Sequence, residues 1–301
     1  MLGPMRTAMV LCAGLGTRLR PLTDRIPKPL MPVGDRPLLA HIVLALARGG
    51  IDRVVVNTHH RAAQFEACPS EVGGAELCIV REPEILGTAG GVAHARAELG
   101  PGDVVVYNGD IVAPSLDLGA LVRAWSATRA DAGALWVVQP RPAGRGTVGV
   151  DQRGRIVRLR GRVFAAEASG ADYLGVQIMG EALRDALPET GCLVADSAIP
   201  FLESNGRIEA FAFEADWDDT GNPAGLLRAN LRWLARRGAR FWVGPGARVS
   251  ADVTLASALV GAGARIEGRG ELRECVVFPT AEARAPLERT IVAPQASVHA
   301  A

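Results

Sequence analysis

The sequence predicts an α/β fold, a Rossmann-like, mostly parallel sheet followed by a short tail resembling a left-handed β-helix. Three observations predict it. A short apolar run, Met9 to Cys12, breaks directly into the glycine loop Ala13-Gly14-Leu15-Gly16-Thr17-Arg18, the passage from a buried strand to an open turn. From there to about Val138, short apolar runs alternate with helical patterns, as in βαβ units with right-handed crossovers. From Trp242 onward, Val243, Val249 and Leu255 recur every six residues with small or polar residues between them, the periodicity of coils with three short faces.

The bulk properties fit this class. The chain has 301 residues, 49% hydrophobic and 22% charged, with a net charge of +1. No basic excess points to nucleic acid, and no long uncharged apolar run could span a bilayer. The apolar stretch near the N-terminus reads as the first strand rather than a leader, because the glycine loop follows it at once. The five cysteines (Cys12, Cys68, Cys78, Cys192, Cys275) are odd in number and lack C-x-x-C spacing. Reduced thiols in a cytoplasmic protein are expected.

After the loop, Lys28 stands between Pro27 and Pro29. Proline fixes its own φ and biases the preceding residue towards an extended backbone, so a stiffened segment presents this lysine. Asp35 is the N-cap candidate of a helix with the apolar stripe Leu38, Leu39, Ile42 and Leu46, ended by Gly49-Gly50. Val54 to Asn57 is a second strand, apolar as in a sheet covered on both faces. His59 and His60 follow it; neighbours along a strand point to opposite faces, so loop positions are expected rather than a metal pair. Leu77 to Val80 is a third strand, leading to Glu82 and the small-residue run Gly87-Thr88-Ala89-Gly90-Gly91, from which helical composition continues to Leu99. Asp103 to Tyr107 is a fourth strand, ending in Asn108-Gly109-Asp110, and ligands of open parallel sheets bind beyond such carboxyl ends.

The pattern continues with a helix from about Leu118 to Arg129, a strand at Ala134 to Val138, a hairpin from Val148 to Ile156 and a strand from Tyr173 to Ile178. Asn222 then caps a helix with Pro223 at its first position; Leu226, Leu227, Leu231 and Leu234 form its stripe, and it stops at Arg236-Arg237-Gly238. The expected division is residues 1–238 for the sheet domain and 239–301 for the tail. The tail has room for about three coils, and such repeats bury their cores only against neighbours.

The glycine loop carries the chemistry. Two glycines one residue apart leave room for an incoming group, successive amides form a concave anion site, and Arg18 adds a planar cation. With Lys28 nearby in sequence, the ligand indicated is a polyphosphate. The Walker pattern is absent, since no Gly-Lys-Ser/Thr follows, and Leu19 stands where the dinucleotide pattern wants a third glycine. The whole string, Gly14-x-Gly16-Thr17-Arg18-Leu19 followed by Pro27-Lys28-Pro29-Leu30, resembles the signature of the sugar-1-phosphate nucleotidyltransferases. Three further segments resemble that family in its order: Glu82 with the Gly87–Gly91 run, Asn108-Gly109-Asp110, and Trp217-Asp218-Asp219-Thr220-Gly221. The chain departs from the family after the hairpin, where Leu159-Arg160-Gly161-Arg162 replaces Glu-Lys-Pro.

The resemblance implies a nucleotidyltransferase domain and a reversible reaction in which a sugar 1-phosphate attacks the α-phosphorus of a nucleoside triphosphate. It implies Arg18 and Lys28 as catalytic cations and Asp110 and Asp219 as ligands of Mg²⁺. Leu11, Ala13, Gly14, Gly16, Thr17, Glu82, Gly87, Thr88, Ala89 and Gly90 would bind the nucleotide, and Gly109, Tyr173 and Gly175 the sugar. In this reading the base lies on the small-residue run while the Glu82 carboxylate accepts from N1–H and the 2-amino group of guanine. That favours GTP with mannose- or heptose-1-phosphate; UTP or dTTP enzymes are the alternative, because backbone groups read bases equally well. Tyr173 either lines the sugar pocket or belongs to the core, and Asp218→Asn is expected to be close to neutral for turnover and its Mg²⁺ requirement. The expected partners are the two substrates, with a homo-oligomer through the tail as a candidate and neither nucleic acid nor membrane. A non-catalytic regulatory homologue would be expected to lose Lys28 or an aspartate, and all three are present. An acyltransferase built on the tail is disfavoured, since His299 is its one histidine. The tail carries no motif and is expected to serve assembly more than chemistry.

Overall fold

Ala8, Met9 and Val10 have no solvent exposure, and a strand apolar on both faces is stable only in the middle of a covered sheet. In the computed structural model, which describes residues 5–128 and 132–300, they lie in such a strand. The chain divides into two units: Met1–Gly14 with Ile42–Asp216, and Leu15–His41 with Trp217–Ala301.

The first unit is built on one sheet. Its strands are β1 (Thr7–Leu11), β2 (Arg53–Thr58), β3 (Glu71–Val72), β4 (Ala75–Arg81), β5 (Val104–Asn108), β6 (Ala134–Arg141), β7 (Val148–Val150), β8 (Ile156–Leu159), β9 (Arg162–Val163), β10 (Ser169–Met179) and β11 (Ile208–Ala212). They lie in the order β9-β8-β7-β10-β5-β1-β2-β4-β3, with β6 also paired to β10 and β11 to β6. β5, β1, β2 and β4 are parallel, so Cys12, His59, Glu82 and Gly109 all follow carboxyl ends on one edge. The β3/β4, β7/β8 and β8/β9 pairs are antiparallel, and β10 runs antiparallel to β5, β6 and β7. Its register on β6 shifts between Tyr173 and Gln177, where Gly175 has a φ of 80°; a Cβ there would lie 2.4 Å from Asn108 Nδ2.

Helix α1 (Leu38–Arg48) buries Leu38, Leu39, Ile42, Val43 and Leu46. The expected cap is not Asp35. That residue lies in the turn of a small hairpin (Pro32–Val33 with Arg36–Pro37), where its two carboxylate oxygens take Arg36 Nε at 3.0 Å and Nη2 at 2.9 Å. A carboxylate so engaged cannot cap, and the Leu38 amide donates instead to the Met31 carbonyl at 2.9 Å. The helical run expected up to Leu99 is α2 (Gly87–His94) and a separate turn, Arg96–Leu99, broken at Ala95. α3 (Leu118–Thr128) buries Leu118, Leu121 and Trp125; its expected end, Arg129, lies outside the described residues.

In the second unit, α4 (Pro223–Arg236) starts as its sequence dictates, with Asn222 Oδ1 accepting from the Gly225 amide at 2.8 Å. Its buried face includes Asn230 and Trp233 besides leucines. Asn230 Oδ1 accepts from the Gly34 amide at 2.8 Å, and its Nδ2 donates to the Pro32 carbonyl at 3.2 Å. Gly34, at φ 67°, passes so close to Trp233 that a Cβ would lie 2.0 Å from the ring. The residues after Arg240 form short strands stacked in parallel, each residue pairing with the one seventeen further on: Phe241 with Ala258, Arg248 with Arg265, Leu259 with Val276. The step shortens in the last turn, where Val276 pairs with Ile291, and Ala296–His299 closes the stack antiparallel. The six-residue sequence repeat is therefore one face of a seventeen-residue turn.

Candidate active site

The site residues expected from the sequence fall into two groups, one in each unit. In the first unit, β1 ends at Leu11, half-buried, whose carbonyl accepts from the Gly109 amide at 2.9 Å. A Cβ at Gly109 would lie 2.6 Å from that carbonyl and 2.7 Å from Cys12 Sγ. Only glycine fits, so Gly109 serves the close approach of β1 and β5, and Asp110 follows it half-buried. The Cys12 amide, freed as β1 turns into the loop, donates to Asn57 Oδ1 at 2.7 Å. Ala13 is buried and Gly14 exposed, and a Cβ at Gly14 would meet nothing within 4 Å.

The segment expected at the base is packed within the protein. Glu82 is 1% exposed. Its Oε1 accepts from Asn57 Nδ2 at 2.6 Å and its Oε2 from the Leu86 amide at 3.2 Å. Both oxygens are thus engaged within the protein, whereas the sequence places this carboxylate at a base edge. The glycines are likewise consumed by protein packing. A Cβ would lie 2.3 Å from the Gly191 carbonyl at Gly87, and 2.4 Å from the Glu189 carbonyl at Gly90. The Ala89 amide donates to the Gly191 carbonyl, the Gly191 amide to the Leu86 carbonyl, and the Leu193 amide to Thr88 Oγ1, each at 2.8 Å. Residues 189–193 therefore strap α2 at its start. Neither this strap nor Asn57 was marked in the sequence: a Thr-Gly pair is a generic turn, and Asn57 passes as the end of an apolar strand.

Of the residues expected at the sugar, Tyr173 belongs to the core. Its ring stacks on Trp136 with centroids 4.2 Å apart and 25° between planes, and burial pushes its phenol well above the ordinary value. Gly175 makes room for the Asn108 side chain.

In the second unit, Gly16 adopts φ 63°, the left-handed turn that glycine tolerates, and its carbonyl accepts from Thr23 Oγ1 at 3.0 Å. A Cβ there would come within 3.6 Å of Lys28 Cβ, so loop and lysine are neighbours. Thr17 and Arg18 are exposed and Lys28 half-buried. Lys28 opens a single turn locked by Leu30 N–H to the Pro27 carbonyl (2.9 Å) and Met31 N–H to the Lys28 carbonyl (3.1 Å). Arg18 Nη2 stands 4.0 Å from Asp219 Oδ2, and Asp219 Oδ1 accepts from the Gly221 amide at 2.6 Å. The cation expected at a triphosphate and the carboxylate expected at a metal thus meet in one unit.

Asp218, beside Asp219, has a structural place of its own. It is 1% exposed and accepts from Arg228 Nε at 2.5 Å and Arg232 Nη1 at 3.1 Å. It anchors the Asp219 strand to α4, a structural tie that the sequence did not reveal. Among the described residues, no group of three or more His, Cys, Asp or Glu side chains gathers as a metal site. The donors on offer at Asp110 and Asp219 are carboxylate oxygens, which fit a hard ion that fills most of its shell with water and phosphate.

A family model described as nucleotidyl transferase matches residues 7–236. The chain is 31% identical to a mannose-1-phosphate guanylyltransferase of Mycobacterium tuberculosis, over 90% of this chain and 79% of that protein. It is 30% identical to a glucose-1-phosphate thymidylyltransferase of Streptomyces antibioticus (86% and 79% covered). It is 32% identical to an N-acetylmuramate alpha-1-phosphate uridylyltransferase of Caulobacter vibrioides (75% and 96% covered).

Proposed function

The chain belongs to the nucleotidyl transferase family and is a sugar-1-phosphate nucleotidyltransferase, and from that premise we propose that it is a guanylyltransferase acting on mannose- or heptose-1-phosphate. The observation that carries the reaction class is the joint presence of the Gly14–Arg18 loop, Lys28, Asp110 and Asp219 in a chain similar to three proteins named for this transfer. The guanine preference rests on the mycobacterial relative; uridylyl or thymidylyl transfer is the alternative, with the other two relatives behind it.

A phosphate oxygen of the sugar 1-phosphate forms a bond to the α-phosphorus of the triphosphate, and the α–β bridging bond breaks with its electron pair leaving on pyrophosphate. Such a step depends on positioning and charge stabilisation. Loop amides of Gly14, Gly16 and Thr17, beside Leu11 and Ala13, cradle the triphosphate. Arg18 draws charge from its β- and γ-phosphates, and Lys28 neutralises the α-phosphate. Gly87, Thr88, Ala89 and Gly90 form the backbone wall for the base, and Gly109 and Gly175 border the sugar. Asp110 and Asp219 are the residues that would hold Mg²⁺, which supplies Lewis-acid stabilisation of the phosphate oxygens.

Residues 1–238 form the catalytic domain in this reading and 239–301 a left-handed β-helical tail through which copies of the chain assemble. The enzyme works in the cytoplasm on soluble substrates; among the described residues no helix is long and apolar enough to cross a membrane. A pyrophosphate-release assay with four nucleoside triphosphates against a panel of sugar 1-phosphates tests the proposal. Release is expected only with both substrates present, and fastest with GTP. A maximum with UTP or dTTP selects the alternative. Silence with every pair would favour a non-catalytic regulatory homologue, which the retained lysine and aspartates argue against.

A further inference from the structure

Asn57 and Glu82, 2% and 1% exposed, form a polar chain through the first unit's interior. It begins at the Cys12 amide, where β1 gives way to the phosphate loop, and passes through Asn57 Oδ1 (2.7 Å) and Nδ2 to Glu82 Oε1 (2.6 Å). It ends with Glu82 Oε2 on the Leu86 amide (3.2 Å), immediately before the base-binding helix. The orientation of Asn57 is dictated by its partners, since an N–H needs its oxygen and a carboxylate its amino group. Each bond in the chain joins a donor to an acceptor. Water competes little at this burial, so each bond is strong, and loss of one partner strands the next. Gly91 packs on the join: a Cβ there would lie 2.5 Å from Asn57 Nδ2 and 2.8 Å from Glu82 Oε1.

We propose that Asn57 and Glu82 are a positioning couple that sets the base-binding segment against the first turn of the phosphate loop, the base being read by the backbone they hold. The two ends of the chain are the two places where the triphosphate and its base would bind, so the inference rests on the nucleotidyl-transfer reading. It assigns Glu82 no contact with the base. Selectivity among bases then depends on where the backbone of Gly87 and Thr88 stands, since the Leu86 amide and carbonyl and the Ala89 amide are already bonded within the protein.

The donor order can be transposed. In Asn57→Asp alone, a carboxylate oxygen faces Glu82 Oε1; in Glu82→Gln alone, an amino group faces a donor at one end. In the double variant, residue 57 still accepts from the Cys12 amide and now also from the amide nitrogen of residue 82, whose oxygen accepts from Leu86. Each single variant is expected to raise the KM for the nucleotide about tenfold or more, with the KM for the sugar 1-phosphate nearly unchanged. The double variant should recover most of that loss and leave the order of preference among the four nucleotides as in the parent. Thermal melting of each protein reports folding. Should the single variants fail to fold, Gly91→Ala disturbs the same join without stranding a charge, and it is expected to raise the nucleotide KM selectively.

Three outcomes would overturn the couple: single variants or Gly91→Ala with unchanged nucleotide KM, a double variant no better than the worse single, or Glu82→Gln altering the order of nucleotide preference. Equilibrium binding of GTP and UTP to the unmodified protein separates the two levels. A parent that binds nucleotide while the variants match it overturns the couple alone, and a parent that binds none overturns the couple together with the reading beneath it.

Discussion

Arg18 has a side chain 64% exposed and stands 4.0 Å from the 40%-exposed Asp219. At that separation a surface ion pair adds little to stability, so its removal should leave the fold alone. Arg18→Ala and Lys28→Ala are each expected to lower turnover by about 100-fold or more, the usual cost of losing a positioned group at developing charge, with the melting temperature nearly unchanged. Pyrophosphate release and thermal melting check this, and an unaltered rate would remove the residue from the mechanism. The two adjacent aspartates should separate by type of defect. Asp219→Asn is expected to raise the Mg²⁺ concentration needed for half-maximal turnover. Asp218→Asn should cost about 1–2 kcal/mol of stability, less than for a fully buried pair because its arginines reach solvent, with no change in the Mg²⁺ requirement. The turn at Gly16 and the stiffened segment at Lys28 were legible as local geometry, because glycine spacing and flanking prolines have local meaning. Glu82 and Asp218 were not: an acidic side chain takes its role from its partners, and these lie on β2 for one and on α4 for the other.

The parallel strands were legible at the scale of elements because unbroken apolar runs have one stable home. The small-residue run at Gly87–Gly91 was legible as a close approach, but the approaching group proved to be the strap at residues 189–193 and the Asn57–Glu82 pair. Composition reports that space is needed and says nothing of what fills it. Asp35 was misplaced for a related reason, since Arg36 beside it offers a stronger partner than a helix amide; that hydrogen bond holds the Asp35 carboxyl below its ordinary value. Helix α1 also carries a titratable group inside the second unit. His41 is half-buried, with Nε2 at 2.6 Å from the Val33 carbonyl. Desolvation lowers its pKa, only partly offset by that bond. A histidine depressed in the folded state binds fewer protons than in the unfolded state, so stability rises with pH through this window. The contribution is complete above about pH 6.5, the unfolded value, and is lost progressively as pH falls below it. The melting temperature of His41→Gln is therefore expected to fall less than that of the parent between neutral pH and about pH 5. Parallel curves would show that His41 does not titrate differently on folding.

At the scale of the molecule, the sequence suggested a tail added after a finished domain, with assembly rather than chemistry as its task. The second unit joins that tail to the residues carrying Arg18 and Lys28. Ile26, Leu30 and Pro32 form one wall of a cavity of about 320 Å³, and Trp242, Val276 and Phe278 of the stacked strands form the other. Trp242 also meets Trp233 of α4 edge-on, with centroids 5.8 Å apart. The shared cavity was invisible in the sequence because its two walls lie more than two hundred positions apart and meet through shape alone. These contacts alter what truncation should do. Deleting the residues after Arg240 uncovers Trp233 and Leu30 and removes the support beneath the turn that opens at Lys28. Uncovering large apolar side chains costs roughly 1.5–3 kcal/mol each when burial is complete, and a lysine held by a mobile turn loses the preorganisation that makes its charge useful. The truncated chain is therefore expected to melt at lower temperature and to turn over more slowly, with the deficit in kcat rather than in the sugar 1-phosphate KM. Melting curves and steady-state kinetics on the soluble truncated protein decide between the two views. A shortened chain with full kcat and unchanged melting, differing only in its mass in solution, would return the tail to a purely assembling role.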